Sequence, residues 1–251
     1  MPTIQANQIT LYYEEHGSGD PVLLIGGLGS DLTLFTHLIG PLAGHHRVIA
    51  FDNRGAGRSD KPDAPYSIAL MAADAFGLLD ALAVERADLV GISMGGKIAL
   101  ELALAHPARV RRMVLISSSA AARSGPITMS VPMRLAGVLS RLGILRKRYP
   151  QPDYAFQRQR EASGSYDVTG RLAEIGVPTL IAHGRRDRTT PLERAEQMHA
   201  GIAGSQLAIF GGGHMFFLTA ERRALAERIE RFLGPGTDRT DDTDGTAGTA
   251  R

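Results

Sequence analysis

Leu89-Val90-Gly91-Ile92-Ser93-Met94-Gly95-Gly96 is the stretch on which the reading of this chain turns. Residues 89–92 form a short apolar run that reads as a strand, and residues 95–105 read as a helix, so Ser93 falls in the turn between them. A serine flanked by glycines in a strand-to-helix turn is the context of a nucleophile elbow. The glycines have a steric reason. A turn this sharp strains the serine backbone, and side chains two residues to either side would collide, so Gly91 and Gly95 carry none; Gly96 lets the helix pack close. The turn lifts the hydroxyl off the sheet and points a helix N-terminus at it, which favours developing negative charge. The competing reading is a glycine-rich turn with an incidental serine, and the strand before and helix after weigh against it.

Outward from this turn, apolar runs alternate with helical patterns. Residues 9–13, 22–25, 48–52, 113–116, 179–182 and 207–210 are further short apolar segments bounded by turn residues, as expected of strands covered on both faces. After Ser67, a candidate N-cap, Ile68, Met71, Ala75, Leu78, Leu79 and Leu82 recur at three- and four-residue steps. Residues 219–233 form another amphipathic segment, with Leu225, Ile229 and Phe232 on one side. This alternation predicts an α/β fold, a mostly parallel sheet flanked by helices. Two regions break it. Residues 120–171 contain no clear strand and hold a helical stretch with Leu135, Val138, Leu139 and Leu142, followed by a basic run from Arg146 to Arg148; the expectation is a small helical cap inserted into a core of 1–119 and 172–233. Residues 234–251, rich in Gly, Thr and Asp, are expected to be a disordered tail.

A serine hydroxyl is a weak nucleophile without a base. His214 lies in Gly211-Gly212-Gly213-His214, directly after the last predicted strand, where a glycine-rich loop can reach a neighbouring elbow. Of the other histidines, His45 and His46 precede a strand, His37, His106 and His199 lie in or beside helices, and His16 sits in the early hairpin region; His183, at a strand end, is the closest rival. The base needs a partner that fixes its tautomer. Asp187, after the strand 179–182, fills that role, and the strand before it ends in Ser117-Ser118-Ser119 without a carboxylate. The order Ser93, Asp187, His214 then follows along the chain. An oxyanion needs backbone donors, for which the N–H groups of Met94 and of Leu28, in Gly26-Gly27-Leu28-Gly29, are the candidates; a simple glycine turn is the alternative for the second.

Composition narrows the function. The chain has 251 residues, 43% hydrophobic and 22% charged, which is a globular balance. A formal net charge of +2 is too small to argue for a nucleic-acid partner. There is no cysteine, which excludes disulfides, thiolate catalysis and thiolate metal sites. The first eight residues lack a basic segment followed by an apolar run, and no apolar stretch reaches the roughly 20 residues needed to span a bilayer. A cytoplasmic protein with no membrane partner is expected, and the oligomeric state is left open.

Taken together these residues resemble the α/β-hydrolase superfamily over about 9–233. Phe51-Asp52-Asn53-Arg54-Gly55-Ala56-Gly57-Arg58-Ser59 resembles the D-x-R-G-x-G-x-S loop of many members, and Val177-Pro178-Thr179-Leu180 and Gly213-His214 are also typical. Some members carry the acid one strand earlier; here no carboxylate stands there. One departure is Gly26-Gly27, where many members have His-Gly, so a side chain that usually braces the oxyanion loop is missing. Gly27-Leu28-Gly29-Ser30-Asp31-Leu32 and the compact cap are similar to the β-ketoadipate enol-lactone hydrolase group, and general carboxylesterases share the same features.

The resemblance implies an ester, lactone or thioester hydrolase that forms an acyl-enzyme on Ser93, with a small-molecule substrate and no cofactor. Two alternatives stay open: a carbon–carbon bond hydrolase, perhydrolase or acyltransferase on the same residues, and a non-catalytic small-molecule binding protein on this fold. Haloalkane dehalogenases and epoxide hydrolases resemble the fold with Asp at the elbow, and the chain has no Trp for a halide site. Arg141, Arg146, Lys147, Arg148, Arg158 and Arg160 cluster in the cap, where they form either a solvated helix face or a site for a carboxylate or phosphopantetheine group. No metal-ligand spacing is present.

Overall fold

A computed structural model describes residues 2–122 and 149–234. Eight strands form one sheet: β1 (Thr3–Ala6), β2 (Ile9–His16), β3 (Asp20–Ile25), β4 (His46–Phe51), β5 (Ala87–Ile92), β6 (Val110–Ile116), β7 (Thr179–Gly184) and β8 (Gln206–Phe210). Their spatial order is β1-β2-β4-β3-β5-β6-β7-β8. The β1–β2 and β2–β4 pairs are antiparallel and the remaining pairs are parallel. Six described helices connect them: α1 (Thr36–Ala43), α2 (Ile68–Ala81), α3 (Met94–Ala105), α4 (Asp153–Ser165), α5 (Leu192–Gly201) and α6 (Arg222–Leu233).

The apolar runs are strands buried on both faces, because alternate residues feed two separate cores. Leu23, Ile25, Ile49, Leu89, Met113, Leu115 and Ile181 pack with α2, α3 and α5 on one side. Val22, Leu24, Val48, Val90, Ile92, Val114, Ile116 and Leu180 pack with α1 and α6 on the other. Ser67 does cap α2, its side chain accepting from the Leu70 N–H at 3.0 Å. The segment read as helical from 219 begins at Arg222, because a short 3-10 turn, Phe216–Leu218, comes first. Within α6, Leu225, Ala226, Ile229 and Leu233 are the buried positions, and Phe232 only flanks the core. One element escaped the sequence pattern: β1 is four residues long with one buried side chain.

The order β4-β3-β5 is a switch point: the chain leaves β3 toward one neighbour and later fills in the other, and in open α/β sheets ligands bind in the crevice that opens there, beyond the strands' carboxyl ends. The register brings the loops after β3 and β5 together, since Ile25 pairs with Gly91. Ile92 pairs with Ile116, and Ile116 with Ala182. Ser93, Ser117 and His183 therefore each stand one residue beyond a shared rung. The described part of the expected cap, 149–171, contains α4 and no strand. Leu135, Val138, Leu139, Leu142 and the basic residues Arg141 and 146–148 lie outside the described residues, as does the expected tail from 235 onward.

Candidate active site

Ser93 sits between β5 and α3 with φ 54° and ψ −114°, a backbone region that non-glycine residues rarely occupy. Holding it there costs about 1–3 kcal/mol, which the surroundings must offset. They do so through hydrogen bonds. The Ser93 N–H donates to the Ile116 carbonyl at 2.8 Å, and the Ser93 carbonyl accepts from Ser118 Oγ at 2.8 Å and from the Gly96 N–H at 3.0 Å. The glycines are required by contact. A Cβ on Gly95 would run into the Ile25 carbonyl, one on Gly91 into the Gly95 carbonyl, and one on Gly96 into Ser118.

His214 and Asp187 reach this turn from β8 and β7. The His214 Nδ1 lies 2.7 Å from Asp187 Oδ2, and its Nε2 lies 3.2 Å from Ser93 Oγ. A carboxylate only accepts, so Nδ1 carries the proton and the Nε2 lone pair faces the serine hydroxyl. Asp187 is buried, and its Oδ1 accepts from the Thr189 and Thr190 N–H groups, each at 2.8 Å. The glycine run before His214 is fastened to the loop that carries Asp187: Arg186 donates from its N–H to the Gly212 carbonyl at 2.9 Å and from Nε to the Gly211 carbonyl at 2.6 Å.

His183, the rival base, is placed differently. It is fully buried, its Nε2–H donates to the Thr190 carbonyl at 2.8 Å, and it approaches Asp187 Oδ2 only at 3.5 Å. Burial pushes its pKa below the usual histidine value, so it stays neutral and pins the 183–190 turn. The serines after β6, read as the absence of a carboxylate, prove to be struts: Ser117 Oγ donates to the His214 carbonyl at 2.9 Å, and Ser118 holds Ser93.

The loop after β3 lies against the elbow, with a Cβ on Gly27 only 3.4 Å from that of Ser93. Met94 is the first residue of α3, and a helix of that geometry leaves its first N–H without an intrahelical acceptor. Leu28 is half-buried against the core, and among the described residues no acceptor takes its N–H. The brace missing from Gly26 is supplied from elsewhere. Asn53 Nδ2 donates to the Gly26 carbonyl at 2.9 Å, Ser30 Oγ to the Gly27 carbonyl at 2.8 Å, and the Leu32 N–H to Asp52 Oδ1 at 2.7 Å. Asp52 is buried and also accepts from the Arg58 N–H at 2.7 Å; burial raises its pKa above the usual carboxylate value.

Gln159 of α4 completes this frame, and nothing in its sequence context signals it. The side chain is fully buried; Oε1 accepts from the Gly29 N–H at 3.0 Å and from Gln151 Nε2 at 3.1 Å, and Nε2 donates to the Arg54 carbonyl at 2.7 Å. Arg54 is itself buried in a two-pronged pair with Asp74, whose carboxyl burial pushes up in pKa despite the guanidinium beside it. Of the cap's basic residues, Arg158 reaches Asp63 at 3.4 Å and Glu161 at 3.8 Å on the exposed outer face.

A cavity of about 200 Å³ opens beside Ser93, bounded by Met94, Lys97, the three serines after β6, and the loop from Arg188 to Arg194. A larger depression of about 830 Å³ lies between α1 and α6, lined by His37, Pro41, His45 and residues of α6, and Ser93 is not among its lining residues. Among the described residues no group of three histidines or carboxylates could hold a metal ion, and no helix is long and apolar enough to cross a membrane.

The family model described as "alpha/beta hydrolase fold" matches residues 20–146, and one described as "TAP-like protein" matches 157–245. The chain is 32% identical over 247 residues to "Putative carbamate hydrolase RutD" of Azorhizobium caulinodans, covering 86% of this chain and 92% of that protein. It is 34% identical over 235 residues to a 2-hydroxymuconate semialdehyde hydrolase of Pseudomonas sp. (strain CF600), covering 78% and 81% respectively. Among solved structures, the enol-lactonase of Burkholderia xenovorans LB400 superposes with a TM-score of 0.82 at 26% identity, over 92% of this chain and 99% of that one.

Proposed function

The chain belongs to the α/β-hydrolase family, and from that premise we propose that it is a serine hydrolase that cleaves a carboxylic ester, lactone or thioester through an acyl-enzyme on Ser93. The observation that carries this reading is the continuous line from Ser93 Oγ to His214 at 3.2 Å and from His214 to Asp187 at 2.7 Å. His214 Nε2 takes the hydroxyl proton as Ser93 Oγ attacks the acyl carbon. Asp187 holds the ring in the tautomer that permits this and stabilises the imidazolium. The negative charge that develops on the acyl oxygen is met by the N–H groups of Met94 and Leu28, already fixed in place before the reaction. Collapse expels the alcohol or thiol, which leaves with the proton from His214. Water then gives a proton to His214, attacks the acyl carbon and releases the acid, and Ser93 regains its proton.

Residues 120–171 are assigned to a cap over this site, supported by α4, whose Gln159 and Phe156 touch Gly29. Carbon–carbon bond hydrolysis by the same residues is the second reading, supported by the kinship to the 2-hydroxymuconate semialdehyde hydrolase. Turnover of a panel of p-nitrophenyl esters, lactones, acyl thioesters and vinylogous diketones separates the two. The proposal expects esters or lactones to be cleaved; cleavage of the diketones alone would overturn it.

A further inference from the structure

His183 is a buried histidine that takes no part in the proton path from Ser93, yet it stands where the acid and the base meet. It is the penultimate residue of β7 and fully buried. Its Nε2 lies 2.8 Å from the Thr190 carbonyl. A carbonyl only accepts, so Nε2 carries the proton and Nδ1 is left as an acceptor. That Nδ1 is buried without a hydrogen-bond partner among the described residues. A buried polar atom without a partner lowers stability, and an apolar side chain would fill the same space without that cost. Packing alone therefore does not account for the ring.

What Nε2 holds does account for it. Asp187 Oδ2 accepts from His214 Nδ1 at 2.7 Å, while Oδ1 accepts from the Thr189 and Thr190 N–H groups. The direction of the carboxylate is therefore set by where residues 189 and 190 lie. The His183 ring ties that turn back to the strand: the Thr190 N–H faces Asp187 and the Thr190 carbonyl faces His183. The same ring nitrogen lies 3.5 Å from Asp187 Oδ2, so it flanks the oxygen that orients His214. Gly184, the next residue, makes room for the loop that carries His214, since a Cβ there would meet the Gly212 and Gly213 carbonyls. On the basis of the hydrolase reading, we infer that His183 is a positioning residue for the reaction: it holds the turn from Asp187 to Thr190 so that the carboxylate is aimed at His214 Nδ1.

The test uses the full chain and three variants that separate the hydrogen bond from the bulk of the ring. His183→Gln can place an amide N–H where the ring Nε2–H stands, His183→Asn is too short to reach Thr190, and His183→Leu has no donor. With p-nitrophenyl acetate, kcat is expected to fall by about ten- to a hundredfold in His183→Leu and His183→Asn, the scale of a small misplacement at a reacting centre. KM should change little, and His183→Gln should recover most of kcat. A second readout needs no turnover: the downfield proton resonance of His214 Nδ1–H, assigned by its absence in His214→Ala. It is expected in the wild type and in His183→Gln, and shifted or lost in His183→Leu and His183→Asn. Should His183→Leu fail to accumulate, the comparison of His183→Asn with His183→Gln carries the test. Undiminished kcat in His183→Asn, or an equal loss in His183→Asn and His183→Gln, would overturn the inference. A wild type that does not turn over the ester, with a resonance that follows the stated pattern, would sink the hydrolase reading and leave the placement of Asp187 by His183 standing. A resonance absent from the wild type, or unaltered in His183→Asn, would overturn that placement.

Discussion

The two sides of the site are built by different means. On the nucleophile side, the turn from Gly91 to Gly96 is fixed by backbone contact: each glycine faces a carbonyl or side chain that leaves no room for a Cβ. On the opposite side, the loop from Gly26 to Leu32 is held by side chains from two distant parts of the chain, Asp52 with Asn53 and Gln159. The first kind of constraint is local and intolerant. The second is distributed, and any one of its hydrogen bonds can be lost without the rest of the loop losing its support. Substitutions on the two sides should therefore fail in different ways: abruptly at the elbow, by degrees at the loop.

The largest effects are expected on the nucleophile side. Ser93→Ala should remove nearly all turnover, by about 10⁶-fold on the subtilisin precedent, with the melting temperature preserved because, among the described residues, the side chain bonds only to His214. Gly95→Ala, by contrast, should prevent accumulation of folded protein, since the added methyl meets the Ile25 carbonyl in the middle of the sheet. Soluble, fully active Gly95→Ala would break the contrast drawn above. Asp187→Asn ranks next, expected to lower kcat by about 10⁴-fold through the wrong imidazole tautomer, with far-ultraviolet circular dichroism unchanged. Its loss should not add to that of Ser93→Ala in the double variant.

On the loop side, Gln159→Leu removes the side chain that accepts from the Gly29 N–H and donates to the buried Arg54 carbonyl, and loss of the latter bond costs about 1–3 kcal/mol. The expectation is a lowered melting temperature and a kcat reduced by about tenfold, consistent with one weakened oxyanion donor, while KM changes little. Gln159→Glu sharpens the point. Its carboxylate can still accept from Gly29 but cannot donate to Arg54, so kcat should recover while stability does not. Equal kcat losses in both variants would mean that the amide supports the fold generally and not the loop in particular.

Legibility in the sequence follows the same division. Ser93, Asp187 and His214 could be singled out because each stands just past a strand, in a turn whose composition is dictated locally; the strands themselves show as apolar runs because both faces of the sheet are covered. Gln159 could not be found, for a glutamine in a helix of mixed composition has no pattern that separates it from solvent-facing neighbours, and its partners lie 130 and 105 residues away. Ser117 and Ser118 were visible but read for what they lack; their hydroxyls bond to main-chain atoms of Ser93 and His214, a contact set by sheet register. β1 escaped because it is only four residues long and buries a single side chain, Ala6.

The smallest expected effect concerns His183. Its folded-state pKa is depressed by burial, so below the ordinary histidine pKa of about 6.5 the unfolded chain binds more protons and stability falls as pH falls. Buried His46, also lowered by desolvation, contributes with the same sign at the other end of the sheet. His183→Gln, which keeps an N–H donor for the Thr190 carbonyl, should flatten the dependence of melting temperature on pH between about 7.5 and 5.5; an unchanged slope would show that His183 is not protonated on unfolding in that range.

The central claim is that Ser93 is a nucleophile activated by His214 and Asp187, and covalent labelling with a fluorophosphonate followed by peptide mass mapping tests it most directly. The account predicts a single adduct on the peptide containing Ser93, absent in Ser93→Ala and strongly slowed in His214→Ala. An adduct at another residue, undiminished labelling of Ser93→Ala, or a folded wild-type protein that does not label would contradict it.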